Sequence, residues 1–117
     1  MPLSQLAEAF AADPCVLAGM DGLNFHNNCE SLDFTDLLTT ARQIANVIPE
    51  LLDRSQWINL GGGYLFEPGH CYDTFYEAVR LLRETFGLTV FIEPGAAIVR
   101  RSGTIEATVH DLSLIHI

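Results

Sequence analysis

The chain has 117 residues, enough for one domain or part of one, and 49% hydrophobic against 18% charged residues marks a folded chain with a buried core. Fifteen acidic residues against six basic ones give a net charge of −9, which argues against nucleic acid or an anionic membrane surface as partner, since both demand a basic face. All six basic residues are arginines, so the chain offers no lysine amine for covalent chemistry.

Residues 3–12 (LSQLAEAFAA) set Leu3, Leu6 and Phe10 on one side at helical spacing, and Asp13-Pro14 ends that helix. Residues 22–26 (GLNFH) read as a short strand after the Met20-Asp21-Gly22 turn. Asp33 is placed to N-cap the next helix. Its apolar stripe runs through Phe34, Leu37, Leu38, Ala41, Ile44, Ala45 and Ile48, until Pro49 breaks or kinks it. Trp57 to Leu60 is a strand that runs straight into Gly61-Gly62-Gly63. Asp73 is placed to cap a third amphipathic helix, carried by Phe75, Ala78, Val79, Leu82 and Phe86, with Gly87 as its terminator. Leu88 to Ile92 is almost wholly apolar, as expected of a strand buried on both faces. Ala96 to Arg101 reads as a short helical turn, and Thr104 to Val109, alternating and β-branched, as a strand.

Helix and strand alternate in pairs of about 30 residues, the length of a βαβ unit. This predicts an α/β fold with a parallel sheet and helices outside it. Three central strands would leave two open edges, an exposure natural sheets avoid. A partial (β/α)8 barrel of the TIM type, supplying about three of the eight units, accounts for those edges. A small flavodoxin-like sheet is the competing architecture. No apolar run approaches the roughly 20 residues needed to span a bilayer, and Met1 is followed by no basic and apolar leader, so a cytoplasmic location is expected. Cys15, Cys29 and Cys71 form no CxxC pair, and an odd count fits reduced thiols.

Three motifs stand at strand ends, where parallel α/β folds place their chemistry. Phe25-His26-Asn27-Asn28-Cys29-Glu30 offers an imidazole that can stack on a flat ligand, with Asn or Cys able to bond a phosphate oxygen; a turn-forming loop is the plainer reading. Gly61-Gly62-Gly63 lets backbone N–H groups approach an anion. It is not GxGxxG, and no helix opens directly after it, so dinucleotide binding is poorly supported. Glu93-Pro94-Gly95 holds a carboxylate in extended geometry, where it can bind a protonated heterocyclic nitrogen. His26, Cys29, His70 and Cys71 make a poor zinc set, because His70 and Cys71 are adjacent and no pair has finger spacing, so no metal is expected.

The order of these motifs resembles a known family. Gly22 to Glu30 (GLNFHNNCE), Asn59 to Tyr64 (NLGGGY) and Phe91 to Ala97 (FIEPGAA) are similar to the carboxynorspermidine decarboxylases. These are pyridoxal 5'-phosphate (PLP) enzymes on an alanine-racemase-type barrel, with relatives acting on ornithine, arginine and diaminopimelate. The resemblance implies that His26 packs on the pyridine ring, that Gly61, Gly62 and Gly63 wrap the cofactor phosphate, and that Glu93 pairs with the pyridinium nitrogen. It implies a carboxylated polyamine substrate and a homodimer. It also implies an internal piece of the enzyme, inactive alone because the Schiff-base lysine is absent, so no catalytic residue is assigned within the chain.

Ala96 stands where many members have a second Glu, and Cys29 where ornithine-acting members have a small hydroxyl residue. Another PLP barrel decarboxylase and a non-catalytic phosphate-binding module of flavodoxin type are the alternatives. Residues 1–111 are expected to be barrel domain, with Thr104 to Val109 starting the passage into a C-terminal β domain. Residues 112–117 (LSLIHI) resemble a translated transposase adapter and are expected to be non-native.

Overall fold

In the computed structural model, residues 1–15 and 17–108 are described; the expected adapter tail and the end of the expected last strand lie outside them. The elements in order are helix α1 (Leu3–Ala12), strand β1 (Gly22–Asn24), helices α2 (Thr35–Val47) and α3 (Pro49–Arg54), strand β2 (Trp57–Gly62), helix α4 (Asp73–Phe86), strand β3 (Thr89–Glu93) and helix α5 (Gly95–Val99). The strands form one parallel sheet in the order β1-β2-β3. The parallel α/β unit with outer helices is therefore as the alternation predicts.

Three helix ends differ from expectation. Pro49 does stop α2, but it also starts α3, because a ring with fixed φ and no N–H suits the first helical position. Asp33 lies one residue before the N-cap position, yet its carboxylate accepts from both the N–H and the hydroxyl of Thr35 at 2.9 and 2.6 Å. Those bonds hold its carboxyl below the usual carboxylate range. Asp73 is in the first turn of α4 rather than capping it. Gly87 closes that helix in the left-handed conformation, as expected, with φ 68°.

Residues on alternate positions of the strands divide the sheet into two faces. Leu23, Ile58 and Val90 share a rung on one face, and this face meets the helices. Ile58 and Leu60 are 0% exposed there, packed in one cluster with Leu37, Leu38, Ala41 and Ile44 of α2 and Ala78 and Leu82 of α4. Helices α2 and α4 pack against each other. Phe34 adds an aromatic knot with Tyr64, Phe66, Tyr72 and Phe75.

The opposite face has no such cover among the described residues. It presents Gly22, Trp57 and Thr89 on one rung and Asn24, Asn59 and Phe91 on the next. Trp57 lies across Gly22, where a side chain would collide with the indole, and meets the Phe91 ring edge-on at 6.3 Å. Phe91 is 51% exposed. Strand β3 is thus not buried on both faces, as its apolar run suggested: Thr89, Phe91 and Glu93 are exposed while Val90 and Ile92 are half-buried. Residues 104–108 form no strand; they are exposed and have no ladder partner among the described residues. Alternating β-branched residues fit a strand, but a strand also needs a neighbour to pair with.

Candidate functional site

The three strand-end motifs meet around the glycines. Beyond β1, residues 25–30 arch away and return to a lone parallel bridge between Ser31 and Tyr64. The arch turns back at Glu30, which adopts a positive φ of 44°. It lies directly on the glycine segment. A Cβ at Gly61 would stand 2.6 Å from the Phe25 carbonyl oxygen and 2.9 Å from the Cα of His26. One at Gly63 would run into the Asn28 carbonyl oxygen. One at Gly62 would stand 2.5 Å from the carbonyl oxygen of Glu93 and 3.5 Å from Nε2 of His26. Real Cβ atoms do not come so close to backbone, so only glycine lets these three chain segments pack. His26 and Glu93 therefore flank Gly62 at the C-terminal edge of the sheet.

Strand register explains how Glu93 reaches this point. Asn59 is level with Phe91, but Gly62 is level with Glu93, so β2 carries one more residue than β3 over this stretch. The extra residue makes a bulge. Gly61 takes it up with φ 71°. Its N–H donates to Oδ1 of Asn59 at 2.9 Å. The Asn59 amide also donates from Nδ2 to Oε1 of Glu93 at 2.6 Å. The motif from Asn59 to Tyr64 assigns Asn59 no role; the signal it carries is an amide two residues before the glycine whose N–H it accepts, a spacing typical of Asx turns.

Two amides of the arch hold the loop. Asn28 Nδ2 donates to the Gly63 carbonyl at 3.2 Å, and Asn27 Nδ2 donates to the Thr40 hydroxyl at 2.5 Å. Each of these amide nitrogens spends one of its two N–H donors in this way. Cys29 is exposed and unpaired, as are Cys15 and Cys71. His70 turns to the Leu32 carbonyl, 2.9 Å from its Nε2. No group of three or more His, Cys, Asp or Glu among the described residues is arranged to hold a metal ion. Beyond α5, Arg100 and Arg101 approach Glu67 at 3.7 and 3.8 Å, which ties the segment after β3 to the loop after β2.

A parallel α/β unit with a histidine, a glycine bulge and a carboxylate gathered at its strand ends is the make of a small-molecule site on such folds. Comparison with known proteins narrows the class. No family model matches the chain. It is 36% identical over 116 residues to the carboxynorspermidine/carboxyspermidine decarboxylase of Herminiimonas arsenicoxydans, covering 95% of this chain and 31% of that protein. It is 37% identical over 99 residues to the carboxyaminopropylagmatine decarboxylase of Synechocystis, covering 81% and 25%. Among solved structures, it matches a carboxynorspermidine decarboxylase from Campylobacter jejuni complexed with norspermidine, with TM-score 0.59 and 25% identity over 79% of this chain and 24% of that one. The chain is therefore similar, over nearly all its length, to a segment of the carboxynorspermidine/carboxyspermidine decarboxylases, as its motifs suggest. It spans about a quarter to a third of the length of these relatives.

Proposed function

We propose that this chain is part of a PLP-dependent decarboxylase that converts carboxynorspermidine or carboxyspermidine to the corresponding polyamine. The observation that carries the reading is the meeting of His26, Gly61 to Gly63 and Glu93 at one sheet edge, in a chain similar to enzymes of that name. The three strands belong, on this reading, to a (β/α)8 barrel whose interior is the uncovered sheet face. The enzyme is a cytoplasmic homodimer.

The residues present fit the cofactor. PLP, when bound, supplies an electron sink for the charge left as carbon dioxide departs. Glu93 would hold the ring nitrogen and favour its protonated form, which keeps the sink strong. His26, exposed beside Gly62, would pack on the ring face. Gly62 and Gly63 would offer backbone to the phosphate, while Gly61 contributes shape, its N–H being bonded to Asn59. The lysine that would hold the cofactor lies elsewhere in a protein of the relatives' length, since this chain has none. A chain with 15 acidic and six basic residues also draws in a polycationic substrate at long range.

The test is carbon dioxide release from carboxynorspermidine by a protein of the relatives' length that carries this segment. Glu93→Gln keeps the size and loses the charge. A charge-assisted bond contributes about 1.5–3 kcal/mol. Turnover should therefore fall by about 10–100-fold. Near-normal turnover would remove Glu93 from this role, and no release with any carboxylated polyamine would end the reading.

A further inference from the structure

The Asn59 side chain touches two of the three motifs at once. Its Oδ1 accepts from the Gly61 N–H, and its Nδ2 donates to Oε1 of Glu93. The backbone N–H can only donate, so the amide oxygen must face Gly61 and the NH2 must face Glu93. The orientation is thus fixed by chemistry, and the bond to Glu93 always runs from amide to carboxylate. Asn59 and Phe91 are level in the sheet, and Glu93 lies two residues further on the same face, directly above the bulge. An exposed glutamate side chain has three rotatable bonds to freeze, and here one amide does so from the neighbouring strand.

We propose that Asn59 is a positioning residue, which aims the Glu93 carboxylate at the cofactor ring nitrogen and couples that aim to the shape of the glycine bulge. The proposal rests on the reading of Glu93 given above. It predicts that the two arms of Asn59 can be separated. Asn59→Asp keeps an acceptor for Gly61 but turns an oxygen toward Glu93. Two carboxylates in that contact repel when both are ionised. Adding Glu93→Gln to Asn59→Asp rebuilds the contact with donor and acceptor exchanged.

The first measurement is the melting temperature of the full chain across pH 4.5 to 8. The gap between wild type and Asn59→Asp should widen toward high pH by about 5 °C. The exchanged pair should close most of that gap. A gap that stays flat with pH, or no recovery in the exchanged pair, overturns the proposal; if Asn59→Asp alone does not fold, recovery of folding in the exchanged pair decides. The second measurement is PLP retention after gel filtration, in a protein of the relatives' length. Asn59→Asp, in which the Glu93 carboxylate is pushed off its position, and the exchanged pair, in which residue 93 no longer carries a carboxylate, should both hold PLP about tenfold more weakly. If stability follows the pattern but both variants and Glu93→Gln retain PLP normally, the contact is real and the role of Glu93 as ring partner is what fails. The positioning role then falls with it.

Discussion

One face of the sheet carries Leu23, Ile58 and Leu60, and the other, from the same strands, carries Asn24, Asn59 and Phe91. The first face is closed by α2 and α4, and Ile58 and Leu60 are wholly buried in it. The second is open, with Phe91 half exposed and two amides in its middle rung. The difference separates what holds the unit together from what it presents. Apolar burial on the closed face supplies the stability, at about 25 cal/mol per Å² removed from water. The open face is free to carry polar groups because the fold does not depend on drying it. On the proposed barrel reading it is the interior, which explains why an aromatic residue as large as Phe91 is left standing there.

The comparison breaks most visibly in the core. Leu60→Ala should cost about 2–5 kcal/mol, through lost burial and a cavity. Phe91→Ala should change stability of the chain by less than about 1 kcal/mol. Denaturant midpoints of the two variants decide this, and equal losses would mean that the open face is covered after all. A smaller effect separates two glycines. Gly62→Ala places a methyl 2.5 Å from the Glu93 carbonyl oxygen, whereas Gly95→Ala meets nothing within 4 Å. The first should cost about 1–3 kcal/mol by overpacking, and the second should be neutral or slightly stabilising in α5. The same midpoints show whether strand-end packing requires glycine.

The smallest effect sharpens the account of the closed side. Tyr64 is fully buried against Phe34 and donates to the Leu60 carbonyl at 2.6 Å. Burial pushes its hydroxyl up from 10.0 to about 12. The unfolded phenol ionises first, so this contribution is whole below pH 10 and is lost as pH rises toward 12. The loss should reach about 1–2 kcal/mol, allowing for relaxation around the ring. Tyr64→Phe should remove that part of the alkaline slope, and stability measured from pH 9 to 12 in both proteins tests it.

Much of this was legible in the sequence. The stripes of α1, α2 and α4 place those helices to within a residue or two, because helical periodicity is a local property. That His26, the glycines and Glu93 lie at one edge of the sheet follows from strand order in a parallel sheet, while the level pairing of Glu93 with Gly62 needs the bulge. What the sequence hid depends on neighbours. The run Leu88 to Ile92 could not show that one face of β3 would be bare, since burial is decided by what packs there. Residues 104–108 have the composition of a strand and no partner among the described residues. The one-residue bulge left no mark except a glycine that could equally be a turn, and the work of Asn59 depends on that bulge.

Trp57 is the only tryptophan in the chain, and it lies on the open face, against Gly22 and edge-on to Phe91. Its indole emission reports the polarity on that side of the sheet and is shielded by the strands from events among the helices. The chain thus carries a built-in optical probe for whatever comes to cover the uncovered surface, with no label to attach and no second indole to confuse the signal.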